Sequence, residues 1–269
     1  MKIGIIGFGN MGSIFAESFC SSGYFKKEDI FVSDKDKNKI SIAKRKGYRI
    51  ETNTELAKKT DIILLAIKPD DIEKVIEQIS GFLNRKKLLI SIAAGVKIKR
   101  IEGKLKNKIP VIRVMPNLNI KVKEGIIVYC KGKNAKEKRN DVLFKKIFSP
   151  LGLVLQMPEN KFDIITAITG SGPGFIFYIA DVLTKICEKK KIERKNAISL
   201  VKTLFYGSGK LLFYSNQTPE ELKEMVCSPK GTTIAGIEIF EKNKFPDIFQ
   251  KAIEKSEKRS KELSKNSKK

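Results

Sequence analysis

The chain has 269 residues, enough to bury a substantial core as one large domain or two ordinary ones. Its 54 lysines and arginines against 30 acidic residues give a formal charge of +24. The basic residues spread over the polar helix faces and the tail from Lys255, and they alternate with glutamates rather than with base-stacking aromatics, which argues against nucleic acid as partner. There is no histidine, and the four cysteines, Cys20, Cys130, Cys187 and Cys227, show no Cys-x-x-Cys spacing. Neither a metal site nor a disulfide frame is expected. No run of about eighteen apolar residues and no charged-then-apolar leader stand out, so a soluble, cytoplasmic protein without membrane contact is expected.

Residues 2–6 read as a buried strand, and Gly7-Phe8-Gly9-Asn10-Met11-Gly12 follows at once, leading into a helical period over residues 11–19. Strand, glycine turn and helix stand in the order of the dinucleotide fingerprint. Gly7 permits the tight turn, Gly9 lets a pyrophosphate approach the backbone, and Gly12 lets the helix pack on the strand. A second strand over residues 30–33 ends at Asp34, about twenty residues beyond Gly12, where a carboxylate accepts from the adenosine ribose hydroxyls and favours NAD(H). Lys35, Lys37 and Lys39 follow immediately and can pair with a 2′-phosphate while Asp34 turns away, which favours NADP(H). The two coenzymes stay open.

The strand and helix alternation continues with strands at residues 61–66, 87–91 and 111–114, so the ligand crevice lies beyond their carboxyl ends. The turns there are Ala66-Ile67-Lys68-Pro69, in which Pro69 sets the next helix start, and Ile92-Ala93-Ala94-Gly95, whose small side chains suit a flat ring against backbone. Asn53, in the turn before the third helix, reads by its residue type as a helix cap. From about residue 161 every apolar stretch is helical: 175–186, 197–212, 219–226, 233–242, and from Pro246 into the tail. The expected architecture is an α/β Rossmann-like dinucleotide-binding domain over residues 1–157, followed by an all-α dimerisation and substrate domain over residues 158–269. A helical domain this small and apolar is expected to bury a face against a second copy.

The run Met225-Val-Cys-Ser-Pro-Lys-Gly-Thr-Thr-Ile-Ala-Gly236 reads as a small-anion site. Pro229 and Gly231 break regular structure, and Thr232 and Thr233 are good N-caps for a helix whose free N–H groups would face a carboxylate. This run resembles the signature loop of the pyrroline-5-carboxylate reductases. The resemblance extends over nearly the whole chain, through the glycine loop at 7–12, Ala66-Ile-Lys-Pro69, Ala93-Ala-Gly95, Arg113-Val-Met-Pro-Asn117 and Gly170-Ser-Gly-Pro-Gly174. The chain departs from the family pattern at Asp34, where Ser, Thr, Asn or Arg and a preference for NADPH are common. It departs also at Leu118-Asn119, Gly174, Phe175, Asp181 and Lys230, the last standing where glycine is usual. Lys230 can add attraction for a carboxylate or narrow the freedom of the loop.

What the resemblance implies is reduction of 1-pyrroline-5-carboxylate to L-proline by hydride transfer from NADP(H) or NAD(H), the last step of proline biosynthesis, in a homodimer formed through the helical domain, with dimers that can assemble further into a ring. It implies that Ser228, Gly231, Thr232 and Thr233 hold the substrate carboxylate. Thr233 would be the catalytic hydroxyl near the imine nitrogen, as proton donor or as a link to water, with Glu159 beside that nitrogen. It also implies Asn53 at the adenosine end, residues 66–69 at the nicotinamide ribose, and Ala93, Ala94 and Gly95 beside the ring. Two other readings stand against it. One is a sister imine reductase or β-hydroxyacid dehydrogenase, for which Lys190, Lys191 or Lys195-Asn196 would imitate the catalytic lysine. The other is a non-catalytic nucleotide- or nucleic-acid-binding protein, with salt-sensitive binding and no coenzyme oxidation.

Overall fold

The computed structural model describes residues 1–266, so the last three residues of the basic tail and of the expected second domain lie outside the described residues. The first strand, β1 (Ile3–Ile6), leads into α1 (Asn10–Ser21), then β2 (Ile30–Ser33), α2 (Lys37–Arg45), β3 (Arg49–Ile50), α3 (Asn53–Lys59) and β4 (Ile62–Leu65). These are followed by α4 (Ile72–Ile79), β5 (Leu88–Ser91), α5 (Ile98–Glu102), β6 (Val111–Pro116), β7 (Gly125–Lys131), α6 (Lys138–Phe148) and β8 (Gly152–Gln156). The sheet runs in the order β3-β2-β1-β4-β5-β6-β7-β8. Pairing is parallel from β3 across to β6; β7 is antiparallel to β6 and parallel to β8.

Both faces of the sheet are covered, which is why its central strands are continuous apolar runs rather than alternating ones. Ile3, Ile5, Ile62, Leu64 and Ile90 join Phe15, Phe19, Phe144 and Phe148 of α1 and α6 in one core. Ile6, Ile63, Leu65 and Leu89 join Leu56, Ile72, Ile76 and Ile101 of α3, α4 and α5 in the other. The period of two along each strand decides which side chain serves which layer.

Three strands escape the sequence reading. Pairing alone makes β3, which has two residues, and β8 lies at the sheet edge. The run Gly125-Ile-Ile-Val-Tyr-Cys-Lys131, which forms β7, did carry a strand signal in its β-branched residues. On β7 the buried Tyr129 donates its hydroxyl to Asp141 Oδ1 at 2.6 Å. Lys131 and Lys145 pair with the same carboxylate at 3.1 and 3.0 Å.

The chain divides into two compact units, one of Met1–Ser171 with the residues from Lys255 onward, the other Gly172–Glu254. In the first unit, α7 (Phe162–Ile165) passes into a turn of π-helix over Thr166–Gly170. The second unit begins α8 (Gly172–Lys189), which packs on α9 (Arg194–Tyr214) and buries Ala197 and Val201. It continues with α10 (Pro219–Val226), α11 (Thr232–Lys242) and the start of α12 (Phe245–Asn266). Thr218 and Glu221 form a reciprocal capping box at α10.

Much of this unit's apolar surface is open. Phe177, Tyr178, Leu204, Phe213 and Val226 are all more than half exposed, an amount of apolar surface that marks an association face. The continuous helical stretch Glu159–Lys189 is, among the described residues, one helix long and apolar enough to cross a membrane. It holds no unbroken run of about eighteen apolar residues, because Asp163, Asp181 and Lys185 interrupt the pattern.

The Tyr129–Asp141 cluster carries a pH signature. Burial works to raise the Asp141 carboxyl, but hydrogen bonds from Tyr129, Lys145 and Lys131 outweigh it and bring it from 3.8 down to about 2. A carboxyl depressed on folding stabilises above its unfolded value and loses that contribution as pH falls through the folded one. Asp141→Asn is expected to lower the thermal midpoint near neutral pH, with the gap from the parent closing between about pH 4 and pH 2. Thermal melts across that range check it; a gap independent of pH would remove the charge from the account.

Candidate functional site

The parallel register brings the expected ligand-facing turns into one row. Ile6 pairs with Ser33 and with Leu65, and Leu65 pairs with Ser91. Gly7, Asp34, Ala66 and Ile92 therefore each stand one residue beyond the last pair, at the carboxyl end of β1, β2, β4 and β5. The order reverses at β1, which lies between β2 and β4, and such a switch point opens a crevice for a ligand.

The glycines are needed for different reasons. Gly7 has φ +98°, and a Cβ there would lie 2.3 Å from the Ala66 carbonyl oxygen. A Cβ on Gly12 would lie 2.0 Å from the Gly7 carbonyl oxygen. Gly9 differs: a Cβ there would meet nothing closer than Lys39 Nζ at 4.0 Å, so this position is kept bare toward open space. Gly9 is the N-cap of α1, with no side-chain cap and no acidic residue in the first turn. The N–H groups of Asn10, Met11 and Gly12 are thus left for an anion. Phe8 is no ligand side chain. It is 3 % exposed and packs edge-on against Tyr48.

Asp34 is held from two sides. Its Oδ2 accepts from the Phe8 N–H at 2.6 Å and its Oδ1 from the Asp36 N–H at 2.9 Å. Lys35 is engaged elsewhere, with its ammonium 2.9 Å from Asp71 Oδ2. A cavity of about 390 Å³ is bounded by Gly7, Gly9, Asp34, Asn53, Ala66 and Lys68, among others. Lys74 and Gln78 of α4 and Asp71 also line it and were missed in the sequence; only their place on the helix beyond β4 could have suggested them. Asn53 is not in a turn but is the first residue of α3, where Thr52 serves as cap. Its amide is free to donate to Gln78 Oε1 at 2.8 Å. Pro69 opens a short 3₁₀ turn capped by Lys68, as its fixed φ favours.

Ala93, Ala94 and Gly95 lie beyond β5 at the same end of the sheet, outside the walls of that cavity. Gly95 has φ +76°, and the buried Ser91 hydroxyl accepts from the Ala93 N–H at 3.3 Å. Glu159 braces the next turn. Its Oε1 accepts from the Ile98 N–H at 2.8 Å, at the start of α5, and from Arg113 Nη1 at 2.9 Å. Arg113 is 5 % exposed and its guanidinium lies 4.7 Å over the Phe162 ring. Nearby Cys130 is buried, and burial and then the Glu159 charge push its thiol up to about 12.

The Ser228–Thr233 loop stands in the second unit. Its helix is capped by Gly231, not by Thr232 or Thr233, and no side chain caps it. The threonines occupy the first two helical positions instead, exposed, with their N–H groups among the unpaired donors of the first turn. Lys230 is left-handed at φ +62°, and a Cβ on Gly231 would lie 2.4 Å from Ser228 Oγ. A side chain at Gly231 would require the Ser228 hydroxyl to shift, while Thr232 and Thr233 stand at the first and second helical positions. Lys190, Lys191 and Lys195, the possible imitators of a catalytic lysine, stand exposed at the turn joining α8 and α9. No group of three or more acidic or cysteine side chains is placed to hold a metal among the described residues.

Residues 159–263 match the family model for pyrroline-5-carboxylate reductase dimerisation, and residues 2–95 match one described as NADP oxidoreductase, coenzyme F420-dependent. The exposed apolar helices of the second unit fall within the first match, which gives them oligomerisation as their role. A pyrroline-5-carboxylate reductase of Methanosarcina acetivorans is 35 % identical over 266 residues, covering 98 % of each chain. One from Aquifex aeolicus is 33 % identical, covering 98 % of this chain and 97 % of its own. Among solved structures, the Plasmodium falciparum pyrroline carboxylate reductase with NADP bound superposes with a TM-score of 0.88 at 31 % identity, covering 98 % of each chain. With likeness spanning both units at these identities, the chain belongs to the pyrroline-5-carboxylate reductase family.

Proposed function

We propose that the chain reduces 1-pyrroline-5-carboxylate to L-proline with a reduced nicotinamide dinucleotide, as the last step of proline biosynthesis. The observation that carries this is the bare Gly9 position, opening onto an uncapped helix N-terminus beside a fixed Asp34, a cradle built for a dinucleotide. The N–H groups of Asn10, Met11 and Gly12 hold the pyrophosphate, Asp34 takes the adenosine ribose, and Asn53, braced by Gln78, borders the adenine end. Ala66, Ile67, Lys68 and Pro69 support the second ribose, and Ala93, Ala94 and Gly95 offer small side chains and backbone to a flat ring.

Reduction adds a hydride to the imine carbon and a proton to its nitrogen. When bound, the reduced nicotinamide supplies the hydride. The chain's task is then mostly positioning, which needs no histidine. The backbone N–H groups of Thr232 and Thr233 and the hydroxyls of Ser228 and Thr233 hold the substrate carboxylate, with Lys230 adding positive charge. The Thr233 hydroxyl also approaches the imine nitrogen and passes a proton to it, directly or from water. Glu159 sets the turn leading into α5 through Ile98 and lends negative charge to a cationic iminium.

The functional division lies near Met157-Pro158, with coenzyme chemistry before it and substrate binding and dimerisation after it. A second copy covers the open apolar helices, dimers assemble further into a ring, and the protein works in the cytoplasm without nucleic acid or membrane.

Mixing purified protein with the imine and NADH or NADPH should give imine-dependent loss of nicotinamide absorbance. No turnover from folded protein that binds either coenzyme would sink the assignment in favour of a sister reductase. Thr233→Val is expected to lower kcat/KM about 10- to 100-fold, since a hydrogen bond to a charged group is worth about 1.5–3 kcal/mol. Thr233→Ser should recover most of that loss; a valine variant at full kcat/KM would make Thr233 a bystander. For Glu159, the alanine variant should cost about 3 kcal/mol of stability by leaving Arg113 buried and unpaired. Glu159→Gln should fold and lower kcat/KM for the imine while dinucleotide affinity holds, and an unchanged kcat/KM would leave Glu159 a structural brace alone.

A further inference from the structure

We infer that this enzyme selects NADH over NADPH and that Asp34 is the selecting residue, a conclusion that rests on the dinucleotide reading of the cavity. An acidic residue at the end of the second strand reads the adenosine ribose as a 2′-hydroxyl, because the carboxylate accepts its hydrogen bond and repels a 2′-phosphate. A chain can escape that rule only if the carboxylate swings out and a cation replaces it.

Here the carboxylate does not swing. The Phe8 N–H holds Oδ2 at 2.6 Å and the Asp36 N–H holds Oδ1 at 2.9 Å. The first donor is itself immobile, since the Phe8 side chain is sunk in the core against Tyr48. Each hydrogen bond from backbone to an ionised oxygen is worth about 1.5–3 kcal/mol, so displacing Asp34 costs more than a surface lysine returns in exchange. Each oxygen retains a lone pair for a ribose hydroxyl.

Of the three lysines that follow Asp34, Lys37 stands exposed at the first position of α2, and the other two face other groups. Lys35 is turned toward Asp71 at 2.9 Å. That pair is exposed and weak, worth under about 1 kcal/mol, so it is the lesser part of the argument. Lys39 lies over Gly9, with Nζ 4.0 Å from where a Cβ would stand. It therefore faces the phosphate cradle that both coenzymes share, and it forms no ion pair among the described residues. Lys39 raises affinity for either dinucleotide, whereas Asp34 distinguishes them.

The test is equilibrium binding of NADH and NADPH to the parent protein and to Asp34→Ser and Asp34→Asn, read by nicotinamide fluorescence without substrate. The serine variant frees the space, and the asparagine variant keeps the shape while removing the charge. The parent is expected to bind NADH at least about tenfold more tightly than NADPH, and at least one folded variant to erase or reverse that ratio. Lys39→Ala should weaken both dinucleotides by a similar factor. A parent that binds NADPH as tightly as NADH overturns the inference, as does a ratio unchanged in both variants. Binding of neither dinucleotide overturns it together with the reading of the cavity. Selective NADH binding without imine-dependent turnover would uphold it and sink the reductase assignment instead.

Discussion

The close approach of Gly7 to the backbone of Ala66 is the contact on which the coenzyme site depends. With β1 lying between β2 and β4, the chain leaving β1 must turn so sharply that a Cβ on Gly7 would stand 2.3 Å from the Ala66 carbonyl oxygen, and φ +98° is the conformation that does so. A side chain at Gly7 would push the loop off β4, and one at Gly12 would push α1 off the loop. Once both are glycine, α1 aims its uncapped N-terminus along the crevice and Gly9 stays open. The anion site is thus a by-product of how tightly strand, turn and helix are packed.

The core supports that turn on both sides of the sheet. Phe15 and Phe19 of α1 pack with Phe148 of α6, which holds the helix that carries the anion site. Phe8, between the two bare glycines, points the other way into the core and fixes the N–H that holds Asp34. A residue within the fingerprint thus serves the site by leaving it. The Glu159–Arg113 pair plays the corresponding part beyond β5, tying the segment that follows β8 to the start of α5.

The second unit is organised by a different constraint. Helices that pack on each other but leave Phe177, Tyr178, Leu204 and Phe213 open cannot be a finished surface. Their match to a dimerisation family and their exposure are two aspects of one fact: the apolar stripe is wider than one chain's helices can cover. The same width lets Glu159–Lys189 pass for a membrane span by composition. Lys230 in this unit adopts a conformation that costs a non-glycine residue about 1 kcal/mol. Lys123, Lys191 and Lys244 do the same elsewhere, so left-handed lysine is a habit of this chain and not a mark of the signature loop.

Residue pattern alone determined the alternation of strand and helix, the fingerprint after β1, the helical character of the apolar stretches beyond residue 161 and the family, because each rests on local spacing or on a motif of fixed length. Tertiary structure decided what depends on partners distant in sequence. β3 and β8 exist through pairing, Glu159 is defined by Arg113 and Ile98, and Gln78 and Asp71 join the cavity through Asn53 and Lys35, their partners distant in sequence. It decided also between neighbours: Gly231, and not Thr232 or Thr233, caps α11. Asp34 is the sharpest case. Its position can be read from its distance to the glycine loop, but whether its carboxylate turns in or away is set by two backbone N–H groups, and one of these belongs to a residue twenty-six positions away.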